Sequence, residues 1–312
     1  MPLNRKSFLK RAATLAMAPV ALGVASERVA AAELTTLDVA YAGSMSSLME
    51  GPIKALAAER FGVALQGRAQ GASGLAALIV GGSIAPDVFI SVTPGPIETV
   101  LRAGKITLAT PIARTEMVIA YTPKGAFAKQ FDAAGKRGAE PWWRVLEEPG
   151  VRFGRTDPLT DPQGRNIIFT MQLAGSLYRE PDLATRVLGP DINPSQIFTE
   201  PTVEARLQSG ELDAASAYKI QPTAFGLPYV RLPGEINLSD DRRQSDYAKA
   251  SLTLDGKTYR PQPLVYYAAV LASAAHPTEA HAFVTWLGGP EAQAVFHRFG
   301  YDAAGEASPI HA

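Results

Sequence analysis

The segment Ala42-Gly43-Ser44-Met45-Ser46-Ser47 follows a short apolar strand, Leu37–Tyr41, and leads into a helical apolar pattern at Leu48, Ile53, Leu56, Ala57 and Phe61. A small, hydroxyl-bearing turn at the start of a helix presents unpaired backbone N–H groups and the positive end of the helix dipole. It holds an anion without needing a cationic side chain. A second turn of this kind, Gln70-Gly71-Ala72-Ser73-Gly74, opens the apolar run Leu75–Val80. Ordinary N-capping explains either turn alone, because Ser is a preferred cap residue. Two in succession suggest one oxyanion held between them.

Other chemistries that serine, histidine and tyrosine could perform fit less well. The strained elbow Gly-x-Ser-x-Gly of exported hydrolases is missing at both turns. The four histidines, His276, His281, His297 and His311, all fall late in the chain, with no carboxylate placed to orient them. His276 and His281 are not at i, i+4 spacing, which argues for surface or cap histidines rather than a zinc site. There is no cysteine, hence no disulfide framework, no thiolate metal site and no residue for lipid attachment. The adjacent tyrosines Tyr266 and Tyr267 suit ferric iron by type, but neighbours on a strand point to opposite faces. No resident metal and no cofactor is expected.

The elements that would position the two turns form an alternating series. Val63–Gln66, Val88–Ser91, Met117–Tyr121, Ala214–Tyr218, Tyr229–Leu232 and Leu264–Ala272 read as strands. Pro52–Phe61, Gly74–Val80, Pro96–Ala103, Arg165–Tyr178, Val203–Gly210 and Pro277–Phe299 read as helices, the last broken at Gly288-Gly289-Pro290. Such alternation predicts parallel sheets covered by helices, with ligands beyond the carboxyl ends of strands. Met117–Tyr121 is apolar on both faces, as a buried parallel strand would be. The polar run Ser239–Lys249 and the turn Leu254–Lys257 read as a solvated excursion.

Residues 1–32 read as an export signal. A basic head, Asn4–Arg11, precedes an apolar middle, Ala12–Ala25, and Ala30-Ala31-Ala32 supplies a small-residue cleavage site. The head resembles a twin-arginine signal with Lys6 in the place of the second arginine. The remainder is too long for one typical domain and fits two lobes. Lys+Arg and Asp+Glu balance at 30 each, so no basic field invites nucleic acid or a membrane surface. An anion site in so neutral a chain must be local.

Taken in order, several segments resemble the periplasmic substrate-binding proteins of ABC importers, in particular the molybdate/tungstate-binding branch. They are Ala40–Ser44, Pro86–Phe89, Arg114–Tyr121, Gly154–Pro158 with Asp161-Pro162-x-Gly164-Arg165, Gly210–Asp213 leading to Tyr218, Leu232–Leu238, and the closing Ala280–Phe283 with Gly300-Tyr301. The resemblance implies an α/β two-lobe fold of the type II binding-protein kind, with the ligand in a cleft between lobes joined by crossover strands. Lobe one would be 33–114 plus 265–312, and lobe two 115–264. It implies a monomer that delivers a tetrahedral oxyanion, molybdate or tungstate, to a membrane-embedded permease from the periplasm. Sulfate, phosphonate and organic carboxylate are the alternative anions.

By the same resemblance, Ser44 and Ser73 donate to the oxyanion, and Tyr218 faces the cleft. Asp161 is a carboxylate that approaches the metal itself, although as the residue before Pro162 it also suits a plain helix cap. The second carboxylate is expected at Glu235, with Glu204 as the alternative. The chain departs from the branch after Tyr218, where Lys219 or Gln221 could place a donor near the cleft. Arg155 or Arg165, if turned into the cleft, would favour an organic carboxylate or phosphonate instead.

Overall fold

The computed structural model describes residues 34–134, 136 and 141–312; the segment read as an export signal lies outside the described residues. Strand β1 (Thr35–Ala42) pairs in parallel with β2 (Val63–Gln70) and β3 (Val88–Ser91). After β4 (Leu108–Arg114), two residues carry the chain into a different sheet. That second sheet contains β5 (Met117–Tyr121), β6 (Phe153–Gly154), β7 (Ala214–Tyr218) and β8 (Tyr229–Arg231), in the order β6-β7-β5-β8. A hairpin of β9 (Leu252–Leu254) and β10 (Lys257–Tyr259) follows. The chain then re-enters the first sheet through β11 (Val265–Val270), and β12 (Ile310–His311) closes that sheet's edge. The first sheet runs β12-β4-β11-β3-β1-β2. The architecture is a two-lobe α/β fold, one sheet to each lobe.

Both sheets are mixed, not parallel as expected. β5 runs antiparallel to β7 and β8, and β11 antiparallel to β3 and β4. The two-faced burial of β5 has another cause: helices cover both of its faces. Val118 and Ala120 pack with Val203 and Leu207 on one side, whereas Met117, Ile119 and Tyr121 join the main core on the other. Alternate residues of a strand face opposite ways, so helical cover on both sides selects apolar residues whatever the strand direction.

Strand β4 escaped the sequence pattern because Pro111 interrupts it. Proline cannot donate to a ladder and is confined to edges and bulges. Here it sits opposite Tyr267, where the pairing with β11 shifts register between Tyr266 and Tyr267. The stretch Ser239–Lys249 is not wholly a solvated excursion. A short helix, Gln244–Tyr247, buries Tyr247, whose hydroxyl donates to Gly234 O at 2.6 Å.

The passages between sheets lie side by side. Thr115 N donates to Leu264 O at 3.1 Å, and Arg114 pairs with Val265. Glu116, buried at the crossing, accepts from Asn237 Nδ2 at 2.8 Å and lies 3.1 Å from Arg231 Nε. Lys219 adds a tie by bonding Asp302 at 2.6 Å. Two extended passages, tied together by this charge cluster, join the two sheets.

Candidate functional site

The first Ser turn, at the end of β1, meets the second lobe at Glu200. That residue opens the helix Glu200–Ser209, and a Cβ at Gly43 would overlap its Oε2. The second Ser turn, at the end of β2, meets Asp161. A Cβ at Gly71 would lie 2.9 Å from Thr160 O and 3.3 Å from the Asp161 Cα, and Gly74 N donates to Thr160 O at 3.3 Å. Glycine lets the backbones approach this closely. A cavity of about 530 Å³ opens between these segments, lined by Gly71, Asp161 and Glu200 among others.

Asp161 is 9% exposed and does cap its helix, Pro162–Tyr178, accepting from Gln163 N at 2.9 Å. Glu200 is equally buried. One amide holds the glutamates. Gln221 Oε1 accepts from Tyr218 N at 2.7 Å, which leaves Nε2 to donate to Glu200 Oε1 at 2.9 Å and Glu204 Oε1 at 3.1 Å. Burial pushes the Asp161 carboxyl up, against the opposing Gln163 N–H and Arg165 charge. It pushes Glu200 well above the usual carboxylate range, helped by the charges of Asp161 and Glu204. Glu204 rises to about 7 through burial, against the Gln221 hydrogen bond. Desolvation disfavours the charged form, so the pocket is primed for a positive centre or for protons.

Hydroxyl groups surround these acids. Ser44 Oγ lies 3.0 Å from the Tyr266 hydroxyl. Tyr218, fully buried at the end of β7, accepts from Asn166 Nδ2 at 3.0 Å, which leaves its proton to be donated elsewhere. Tyr301 packs 5.4 Å from the Tyr266 ring. Burial raises all three phenols well above their ordinary value, so they remain neutral donors. The arrangement places hydroxyl donors for oxygen atoms beside carboxyls that could reach a central cation.

Of the residues singled out from sequence, Ser44, Asp161 and Tyr218 lie in or beside this pocket. Ser73 lines a separate cavity of about 400 Å³, where its hydroxyl accepts from Arg165 Nη2 at 2.6 Å; of its turn, Gln70 and Gly71 line the Asp161 pocket. Glu235 lies apart: it is half-exposed and already paired with Arg243 at 3.0 Å. The carboxyl that meets Asp161 is Glu200, with Glu204 behind it. Glu200 was missed because Thr199-Glu200-Pro201 reads as an ordinary acidic first turn ahead of the apolar Val203. Tyr266 was weighed only as half of an iron-binding pair. Arg155 is fully buried, donating to Gln196 Oε1 at 3.2 Å and Pro190 O at 3.0 Å. His276 stands at a helix N-cap position, and among the described residues no group of three or more His, Cys, Asp or Glu could hold a metal ion.

Comparison with known proteins places this geometry in a family. The model of the bacterial extracellular solute-binding proteins matches residues 37–302. A putative ABC transporter molybdenum-binding protein of Haloferax volcanii is 30% identical over 237 residues, covering 76% of this chain and 72% of the relative. The molybdate/tungstate-binding protein of Thermococcus kodakarensis is 30% identical over 205 residues, covering 60% of this chain and 59% of its own. Among solved structures, the periplasmic molybdate-binding protein of Azotobacter vinelandii superposes with a TM-score of 0.57 at 18% identity, over 85% of this chain and 98% of that one. Match, two-lobe fold and interlobe pocket agree, and the chain belongs to the bacterial extracellular solute-binding proteins.

Proposed function

We propose that this protein captures molybdate or tungstate in the periplasm and presents it, as a monomer, to the permease of an ABC importer. The observation that carries the reading is the pairing of buried Asp161 and Glu200 beside the Ser44 turn. A tetrahedral oxyanion held by hydrogen bonds alone would be repelled by two carboxylates. A metallate accepts them, because its hard, high-valent metal can take oxygen ligands beyond its four oxo groups. Ser44, Tyr218 and Tyr266 serve the oxo groups, and the Ser73 turn closes the wall. The names of the Haloferax and Thermococcus relatives support the same ligand. We set the lobes at 33–114 plus 265–312 and at 115–264, since the chain changes sheet at Thr115-Glu116 and again just before Val265.

The site has no catalytic design. Ser44 pairs with a phenol rather than an imidazole, so it lacks the base that would activate it as a nucleophile.

Calorimetry tests the ligand. Molybdate and tungstate should each bind once per chain, at least about 100-fold more tightly than sulfate or phosphate, a gap of about 2.7 kcal/mol. No heat with either metallate, alongside tight binding of an organic anion to the same pocket, rejects the assignment. Gly43→Ala probes the contact with Glu200. Its added methyl must displace the carboxylate, and molybdate affinity should fall by about tenfold or more. Parent-like affinity would show that Glu200 is free to move without cost.

A further inference from the structure

Ser73 and Arg165 line a second cavity, of about 400 Å³, which shares no lining residue with the pocket of Asp161 and Glu200. Arg165 is 6% exposed, and two of its five N–H groups have protein acceptors among the described residues: Pro158 O at 2.7 Å and Ser73 Oγ at 2.6 Å. Its guanidinium stacks 4.5 Å from the Tyr259 ring, and Lys257 Nζ lies 4.8 Å from the same ring. Arg102 and Arg260 also line this cavity. Four cations face one carboxylate, Glu98, which Arg102 meets at 3.6 Å.

The charge of this second cavity is opposite to that of the first. A chain with equal numbers of acidic and basic residues has placed buried carboxyls in one cavity and a buried guanidinium with three further cations in the other. The volume falls within the range of small-molecule sites, roughly 300–1,000 Å³, and exceeds the needs of a four-oxygen anion. Alanine, leucine and phenylalanine carbon lines part of the wall, at Ala76, Leu159 and Phe169. The cations come from both lobes: Arg102 ends the helix Pro94–Arg102 in the first, while Arg165, Lys257 and Arg260 belong to the second.

We propose that this compartment is a second ligand site, which binds a small organic anion carrying two or more carboxylate or phosphate groups. Its anionic groups bridge Arg102 of one lobe to Lys257, Arg260 and Arg165 of the other. Its carbon skeleton lies on the apolar wall. Guanidinium groups favour such ligands because they bind planar oxyanions in bidentate fashion. The site stands independently of the metallate reading.

The probes are tricarballylate and 3-phosphonopropionate, neither of which carries the hydroxyl that would chelate molybdenum. Each is titrated into the purified protein with and without saturating molybdate. At least one should bind once per chain and remain bound when molybdate is present. The double variant Lys257→Gln/Arg260→Gln should weaken that binding at least about tenfold and leave molybdate affinity unchanged. Three results overturn the proposal: neither probe binding below about 1 mM, displacement of the probe by molybdate, or parent-like probe binding in the double variant. A protein that ignores metallates yet loses the probe in the double variant retains this site and refutes the metallate assignment.

Discussion

Asp161→Asn and Glu200→Gln should each weaken molybdate binding by about 100-fold or more, since on the proposed coordination each replaces a carboxylate ligand of the metal by a neutral amide. The fold should survive both changes. Asn caps a helix nearly as well as Asp, so the Gln163 N–H keeps its acceptor. Gln at position 200 can still accept from Gln221, and each variant removes a charge that burial disfavours. Melting temperatures without ligand should therefore hold or rise while affinity collapses. Sulfate gives the contrast. An anion held only by hydrogen bonds gains when a nearby negative charge is removed, so at pH values where the parent carboxyls are ionised its weak binding should tighten in both variants. Unchanged or tighter molybdate binding in either variant would show that the carboxyls do not touch the metal.

Molybdate affinity should increase as the pH is raised from about 6.5 to 8.5. In the ligand-free site, Glu204 titrates at about 7, and burial raises Asp161 and Glu200 as well. These groups therefore carry protons near neutral pH that an exposed carboxylate would have lost. Coordination requires the charged form, so binding expels protons, and linkage makes the affinity rise by up to about tenfold per pH unit for each proton released. A site that used its carboxyls as hydrogen-bond donors would behave oppositely, taking up protons and losing affinity as pH rises. Titrations in buffers of differing ionisation enthalpy count the protons directly. Proton uptake, or a flat profile, would refute carboxylate coordination. The groups facing this cluster are the phenols of Tyr218, Tyr266 and Tyr301, which stay neutral throughout this range, the Gln221 amide, which does not titrate, and the charges of Arg165 and Asp157, which act on Asp161 in opposite senses. Glu204→Gln should keep the rise, because Glu204 lies behind the proposed ligands and the proton release comes from Asp161 and Glu200.

Much of the fold was legible because its signals are local. Val88–Ser91, Met117–Tyr121 and Ala214–Tyr218 begin and end where their apolar runs do. The break at Gly288-Gly289-Pro290 divides Pro277–Leu287 from Pro290–Arg298, since glycine and proline end helices through the chain's own geometry. Strand direction was not legible. An apolar run is the same read either way, and only the crossing at Thr115-Glu116 decides how β5 enters its sheet. β4 was hidden by Pro111, whose acceptance depends on a bulge formed with a strand about 150 residues away.

The same division holds at the site. The order of segments that resemble the binding proteins indicated a two-lobe solute binder, and serine-rich turns at strand ends were legible because spacing along the chain encodes helix starts and the small residues that anions need. Asp161 was visible for the same reason: it precedes a proline at a helix start. Which acid meets Asp161 was decided only in three dimensions. Glu200, Glu204 and Glu235 are equivalent by type and all lie near helix or turn signals. Burial against Gly43, and an amide on the next strand's exit, distinguish Glu200 from Glu235, whose charge is met at the surface by Arg243. Arg165 shows the same limit. Its position in the helix Pro162–Tyr178 follows from local periodicity, but its reach to Ser73 across the cleft depends on how two lobes close. Contacts between lobes join residues far apart in sequence, and no local pattern records a distance that only the packing of two separate cores sets.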